Sequence, residues 1–181
     1  PARIFSVWTA SELAAIGIYE ITFDDSKKKN ETYYINTNQT FTYDADAGTV
    51  TATYGNATPK AHADTLWTAQ DETDGKGTEG EVATRGLKYN FIKTIKAQAA
   101  GILQDTDWYI LRKADADTDV PSAITTFRAA VRTKAAAMET LITNASNTAA
   151  IETLYTYVNT ADEGDPVVMA RPLGEFPKLG S

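Results

Sequence analysis

The chain has 181 residues, of which 43% are hydrophobic, so it is long enough to bury one or two small cores. It contains no cysteine, which excludes disulfides, thiolate metal sites and thiol nucleophiles. Its formal net charge of −7, with no basic cluster larger than Lys27–Lys29, predicts that nucleic acid is not a partner.

The start of the chain shows no sign of export or membrane insertion. Residues Pro1–Phe5 lack the apolar segment of a signal peptide. No apolar run approaches the roughly 18 residues that cross a bilayer. We therefore expect cytosolic synthesis and no membrane partner.

The first predicted element is a short helix from Ala10 to Ile16. Thr9 and Glu12 have the spacing of a capping box, and Gly17 supplies the left-handed residue that ends a helix. An isolated helix of two turns is unstable, because nucleation costs more than so few hydrogen bonds return. Tertiary packing must therefore hold this helix in place.

Four strands are predicted next, because Thr, Tyr, Ile and Val alternate between short, turn-prone connections. They are Ile18–Phe23, Thr32–Asn36, Gln39–Tyr43 and Thr49–Tyr54. Short connections favour antiparallel hairpins, so the strands are predicted to form a β-meander. Each strand has an apolar side and a threonine side, so one face of the sheet should contact water.

Residues 55–86 are rich in glycine and acidic side chains, and we interpret them as a loop, with a linker at 61–86. Trp67 is a large aromatic residue within this otherwise polar segment. Its segment, Thr65–Thr68, either adds a strand to the sheet or contacts a partner, and membership of the core is the favoured interpretation.

The second half is predicted to be a helical hairpin. One run begins near Leu87 and repeats apolar residues at helical spacing. A second run begins at Ser122, predicted as its N-cap directly after Pro121. Its apolar positions follow a heptad seam: Ile124, Phe127, Val131, Ala135, Met138 and Ile142.

A third helix is predicted over Ala149–Asn159, with Asn147 or Thr148 as its cap. Beyond it, prolines at 166, 172 and 177 predict an extended arm. The arm contains too many apolar residues to be fully solvated. It should therefore lie across its own domain or across a neighbouring subunit.

These elements predict an α+β fold. A short helix and β-meander occupy 1–60, a linker 61–86, a small helical bundle 87–160 and the C-terminal arm 161–181. We predict no catalytic residue, cofactor or metal, and hence not an enzyme.

Two features of the sequence bear on catalysis and metal binding. The single histidine, His62, has no second histidine to build a metal site or a relay, so a surface or turn position is favoured. Asp115–Asp119 copies the first ligands of an EF-hand loop, but Val120 and Thr126 stand where that loop needs glycine and glutamate. A solvated connection between helices is therefore predicted.

One segment resembles a known family. Leu103-Gln104-Asp105-Thr106-Asp107-Trp108, then Pro121, then Phe127-Arg128-Ala129-Ala130-Val131-Arg132 resembles the L-x-x-T-D-W … P … (Y/W)-R-x-x-(L/V)-R signature of tail-fibre assembly proteins of tailed phages. The helix pair is also similar to one in virion structural proteins of marine and cyanobacterial phages. The resemblance covers about a third of the chain, from Leu87 to Asn144.

The resemblance implies a structural or assembly protein of a tailed bacteriophage, located in the virion after assembly in the host cytoplasm. The implied partners are tail or tail-fibre proteins and further copies of the same chain. In this setting Thr106 is expected to cap a helix and Trp108 to fill the elbow between the long helices. Arg128 and Arg132 are expected to reach Asp105 or Asp107.

The candidate interaction residues are Trp108, Arg128, Arg132, Asp107, Trp67 and Phe176. Two alternatives to a virion component stay open. The first is a tail-fibre chaperone that is absent from the finished particle. The second is a carbohydrate- or receptor-binding module in which Tyr34, Tyr43 or Trp67 stacks on sugar rings.

Overall fold

The computed structural model describes residues 7–180. The N-terminal segment considered above for an export signal lies outside the described residues. The chain divides into two compact units, with the boundary after Lys60. The mixture of helices with short sheets confirms the predicted α+β class.

The first unit contains the short helix that the capping pattern predicts. Helix α1 spans Ala10–Ala14 and ends two residues earlier than predicted. The Thr9 hydroxyl and the Glu12 carboxylate each accept a hydrogen bond from the other residue's backbone N–H, which confirms the capping box. Gly17 has a φ of 80°, and its N–H and the next one donate to carbonyls of the helix. Glycine therefore closes this helix as expected.

The strands of the first unit are β1 (Ile21–Asp24), β2 (Tyr34–Ile35), β3 (Thr40–Asp44), β4 (Thr49–Thr53) and β5 (Thr58–Pro59). Three of them form one sheet in the order β1-β4-β3, whereas β2 and β5 form a separate antiparallel pair. The first unit thus contains two small sheets.

The predicted meander is wrong, although one of its hairpins is present. Strands β3 and β4 pair antiparallel across a turn in which the Asp44 carboxylate accepts from two backbone N–H groups. Strand β1 instead lies parallel to β4. Strand β2 leaves this sheet because Tyr33 and Tyr34 are both buried, and burial of two large rings outweighs pairing with a sequence neighbour.

The register of the three-stranded sheet separates apolar residues from threonines, as predicted. The apolar sheet face carries Ile21, Phe23, Phe41, Tyr43, Val50 and Ala52. On the other face, the hydroxyls of Thr22 and Thr51 are 3.2 Å apart. Among the six apolar residues only Ala52 is fully buried. The first unit therefore leaves most of its apolar sheet face uncovered.

The segment predicted as a linker contains regular structure, so that interpretation is corrected. Strand β6 (Thr65–Leu66), helix α2 (Ala69–Thr73) and strand β7 (Val82–Thr84) follow one another, and β6 pairs antiparallel with β7. Helix α2 begins at a second capping box, between Thr68 and Asp71. Here aspartate takes the place that glutamate usually has in this motif.

The residues around α2 pack more closely than their composition suggests. Trp67 is half-buried after β6, and a Cβ on Gly77 would overlap its indole ring. Lys76 forms ion pairs with Asp71 at 3.1 Å and Asp74 at 3.0 Å. A glycine-rich, acidic stretch is therefore ordered by one aromatic contact and one lysine.

Residues 61–64 accept hydrogen bonds from the start of helix α3 (Leu87–Gln104). Its N-cap is Gly86, which has no side chain to accept a bond, and the Asp64 carboxylate accepts from the Gly86 N–H at 2.8 Å. The carbonyls of Ala61 and His62 accept the first two N–H groups of the helix. The Gly86 N–H is the main reason that the pKa of Asp64 lies below its usual value.

The predicted helical hairpin is present. Helix α4 (Asp107–Ala116) follows α3, and α5 (Ser122–Asn144) returns along it. The buried core cluster of this unit consists of Ile95, Ala99, Val131, Ala135, Met138, Ile142 and Leu173. The predicted seam of α5 is confirmed, with Phe127 only partly buried. No helix within residues 7–180 is both long and apolar enough to span a membrane.

Helix α6 (Thr148–Tyr155) is capped by Asn147, whose side chain accepts the Ala150 N–H at 2.8 Å. The helix ends before the predicted Asn159. Ser122 is not an N-cap as predicted. It is the first helical residue of α5, and Pro121 precedes it without a side-chain bond.

The C-terminal arm folds back on its own unit, which is one of its two predicted locations. Strand β8 (Val158–Asn159) pairs with strand β9 (Met169–Ala170). Leu173 is completely buried among the helices, and its N–H donates to the Leu154 carbonyl at 3.0 Å. Phe176 packs against the same cluster.

The capping box of α2 predicts a pH-dependent local opening. Bonds from Thr68, assisted by Lys76, lower the pKa of Asp71 from 3.8 to about 2. The stabilisation from the Asp71 carboxylate is therefore present above pH 4 and is lost as the pH falls towards 2. Asp71→Asn should remove the pH dependence of the protection factors, the exchange rates relative to those of an unfolded chain at the same pH, of the α2 amides within that window.

Hydrogen exchange measured by NMR checks this expectation, with a carboxylate titration of Asp71 beside it. Asp115→Asn, at an exposed position, is the control and should leave the exchange of α2 unchanged. An Asp71 pKa of 3.8 or above would contradict the prediction.

Candidate functional site

The signature residues meet where α3 turns into α4. One guanidinium nitrogen of Arg128, on α5, donates to the Leu103 carbonyl at 2.8 Å and to the Thr106 hydroxyl at 2.7 Å. The other terminal nitrogen forms an ion pair with Asp107 at 2.8 Å. The Thr106 hydroxyl donates in turn to the Leu103 carbonyl at 2.9 Å. We call this group, Leu103, Thr106, Asp107 and Arg128, the elbow.

The elbow surrounds a buried charge with three acceptors. Arg128 is only 6% exposed and Thr106 only 2%, whereas the Asp107 side chain is half exposed. A buried guanidinium is costly unless acceptors surround it, and here a carboxylate, a carbonyl and a hydroxyl do so. It also lies at the C-terminal end of α3, where the helix dipole favours a positive charge. The position of Arg128 therefore determines where α3 ends.

The prediction that the Thr106 side chain caps α4 is wrong. Thr106 does occupy the N-cap position of α4, but its side chain makes no capping bond to that helix. Its hydroxyl is instead engaged by Arg128 and by the Leu103 carbonyl. The arginine competes successfully because a charge-assisted bond is about twice as strong as a neutral one.

Trp108 does not fill the elbow as predicted. It is 49% exposed, because Thr106 and Arg128 already occupy the interior of the turn. Its ring packs on Tyr109 with centroids 4.1 Å apart, and the Arg112 guanidinium lies 4.7 Å from the ring centroid. Two neighbours along the same helix therefore hold the indole in place at the surface.

Helix α4 presents an apolar surface to solvent. It contains no buried residue, and Ile110 and Leu111 are 43% and 69% exposed. Leu111 lies on the same side of the helix as Trp108, and we call these two residues the α4 surface. An amphipathic helix usually buries its apolar stripe, so this surface has the character of a contact site.

Arg132 does not join the elbow. It is exposed one turn beyond Arg128, and within residues 7–180 it makes no hydrogen bond or ion pair. Asp105 pairs with neither arginine. The sequence did contain a signal that separates the two arginines, because Arg128 lies on the same helix face as Ile124 and Val131. An arginine on a buried stripe indicates a buried partner set.

One lysine offsets part of the charge of the acidic connection after α4. Lys113 contacts Asp117 and Asp119, each at 2.7 Å, and this lowers the pKa of Asp119. Both carboxylates are exposed, as predicted for a solvated connection. Within the part of the chain that the structure describes, no three His, Cys, Asp or Glu side chains are placed to hold a metal ion.

A groove of about 820 Å³ lies between the helices and the C-terminal arm. Its apolar wall includes Ile102, Phe127 and Phe176. At one side Glu175 accepts from the Tyr157 hydroxyl at 2.5 Å and pairs with Arg171 at 2.7 Å, and the tyrosine bond is the main reason that the pKa of Glu175 is lowered. Phe176, predicted as an interaction residue, thus packs on the core and also lines this groove.

The other predicted residues lie apart from the elbow. Trp67 is half-buried against Gly77, and β6 before it pairs with β7. His62 contributes its backbone carbonyl to the start of α3. Of the aromatic residues considered for sugar stacking, Tyr34 is 4% exposed and is not accessible to a ligand, whereas Tyr43 remains half exposed.

No protein-family model, curated protein or solved structure matches this chain.

The elbow predicts that two neighbouring arginines differ greatly in their effect on stability. Arg128→Met removes the guanidinium and leaves the Thr106 hydroxyl without its charged partner in a buried turn. We expect it to lower the free energy of unfolding by about 2–4 kcal/mol. Arg132→Met, one turn along the same helix and exposed, should change it by less than about 0.5 kcal/mol.

Urea denaturation of both variants under identical conditions measures the difference. Equal losses in the two variants would show that the buried network does not hold the elbow together.

Proposed function

We propose that this chain is a non-enzymatic structural component of a tailed-phage particle, associated with the tail or the tail fibres. The proposal rests on the signature described above, and the geometry of the elbow supports it. Arg128 contacts Thr106, which lies 22 residues before it in the sequence, and the adjacent Asp107. These three polar residues of the signature therefore have a structural reason to occur together, whereas the fourth, Arg132, lies outside the elbow.

Another signature residue, Trp108, suggests how such a component attaches to its partner. The elbow fixes the start of α4, and α4 in turn directs Trp108 and Leu111 towards solvent. Exposed tryptophan on a rigid helix is typical of residues that dominate the binding energy of protein interfaces. A tail or fibre protein with an apolar recess is the partner that this surface fits.

Mass spectrometry of purified particles tests the assignment. Particles of the phage that encodes this chain should contain it in a fixed ratio to the other tail proteins. If it is present during infection but absent from purified particles, it is a transient assembly chaperone and the proposal is wrong on this point. Specific binding on a glycan array would instead favour a receptor-binding module.

Removal of the α4 surface is predicted to weaken binding to a partner without unfolding the chain. The double variant Trp108→Ala, Leu111→Ala should bind purified tail or fibre proteins of the same phage roughly tenfold more weakly, or worse. The matched control is Tyr89→Ala on α3, since Tyr89 is also an exposed aromatic residue.

Isothermal titration calorimetry measures the affinities, and circular dichroism verifies that both variants remain folded. If Tyr89→Ala weakens binding as much as the double variant does, the contact is not made through α4.

A further inference from the structure

Strand β3 is an unprotected sheet edge. One side of it pairs with β4, and no strand among the described residues pairs with the other side. All five residues of β3 are exposed. Natural proteins usually protect such an edge with lysine, proline or a bulge, and β3 contains none of these. It is therefore a template for a further strand.

The apolar sheet face beside this edge is also uncovered. Ile21, Phe23, Phe41 and Tyr43 are 44%, 67%, 60% and 49% exposed. Their exposed area is on the order of 400 Å², given about 150–250 Å² for a whole aromatic side chain. That is about half of what one partner contributes to a standard interface. Strand pairing along β3 would add the rest.

We propose that β3 pairs antiparallel with β3 of a second copy of this chain, about a two-fold axis at Thr42. In this register Phe41 lies opposite Tyr43 of the second copy, and Thr40 lies opposite Asp44 of the second copy. The two three-stranded sheets then form one continuous sheet with a shared apolar face. This pairing goes beyond the proposed place in a virion and does not depend on it.

The sequence of β3 is complementary to itself. Each aromatic residue meets an aromatic residue on the same face, which is a favourable cross-strand pair. The only acidic residue, Asp44, meets the hydroxyl of a threonine rather than another acid. A two-fold contact requires this kind of self-complementarity, because the same surface serves both partners.

The other edge of the sheet offers a shorter strand, because β1 has four residues and β3 has five. Pairing of β1 with itself about Thr22 would also place Glu20 opposite Asp24 of the second copy. Like charges directly opposite each other are destabilising in a sheet. In a chain with a net charge of −7, copies already repel one another, so the edge without this clash is favoured.

Introduction of a charge at the two-fold axis tests the proposal in the 181-residue chain. Sedimentation equilibrium of the wild type should give twice the mass of the 19.6 kDa chain. Thr42→Lys and Thr42→Asp each place like charges opposite each other and should raise the dimer dissociation constant about fivefold or more. An equimolar mixture of the two variants should recover the dimer, because opposite charges then face each other.

The control is Thr22→Lys, which puts the same charge on the same face at the β1 edge and should leave the dimer intact. Circular dichroism of every variant verifies the fold. A wild type that stays monomeric at its highest soluble concentration overturns the proposal. It is also overturned if Thr42→Lys remains as dimeric as the wild type, if Thr22→Lys dissociates equally, or if the mixture stays dissociated.

Failure of this test leaves the virion assignment standing, because that assignment is judged by the protein content of particles and not by the mass of the free chain.

Discussion

The seam between α3 and α5 is the contact on which the second unit depends. It buries a continuous row of aliphatic side chains from both helices, and Leu173 of the C-terminal arm completes it. Arg128 lies on the seam face of α5, so its charge has to be neutralised inside the unit. The Leu103 carbonyl at the end of α3 and the Asp107 carboxylate do this. Apolar packing thus aligns the two helices, and one buried cation fixes where the first of them ends.

The first unit is organised differently, because its apolar residues are mostly at the surface. Its buried hydrophobic side chains within residues 7–60 are Tyr33, Tyr34 and Ala52. A segment of about 60 residues buries only some 60% of its unfolded surface even when it is well packed. With so small a core, each additional contact contributes a large share of its stability. Association through the sheet therefore matters more to the first unit than to the second.

Sequence reasoning succeeded where the determinant is local. The capping box of α1 and the heptad seam of α5 depend on residues within a few positions of each other, and both are present. Strand partners depend on distant residues, so the parallel pairing of β1 with β4 could not be read from short connections. Helix α2 was missed because its box uses Asp71 rather than glutamate. Trp108 was misplaced because spacing alone does not reveal that Arg128 already occupies the elbow.

Charge explains why two contact surfaces on this chain suit different partners. Self-association of an acidic protein requires a surface on which acids do not meet, and β3 satisfies this with a single carboxylate at its end. The α4 surface is different, since Arg112 lies over Trp108 and Lys113 follows it. A cation beside an exposed indole favours a partner with acidic groups around an apolar recess. The two proposed contacts therefore use different units and differ in their charge.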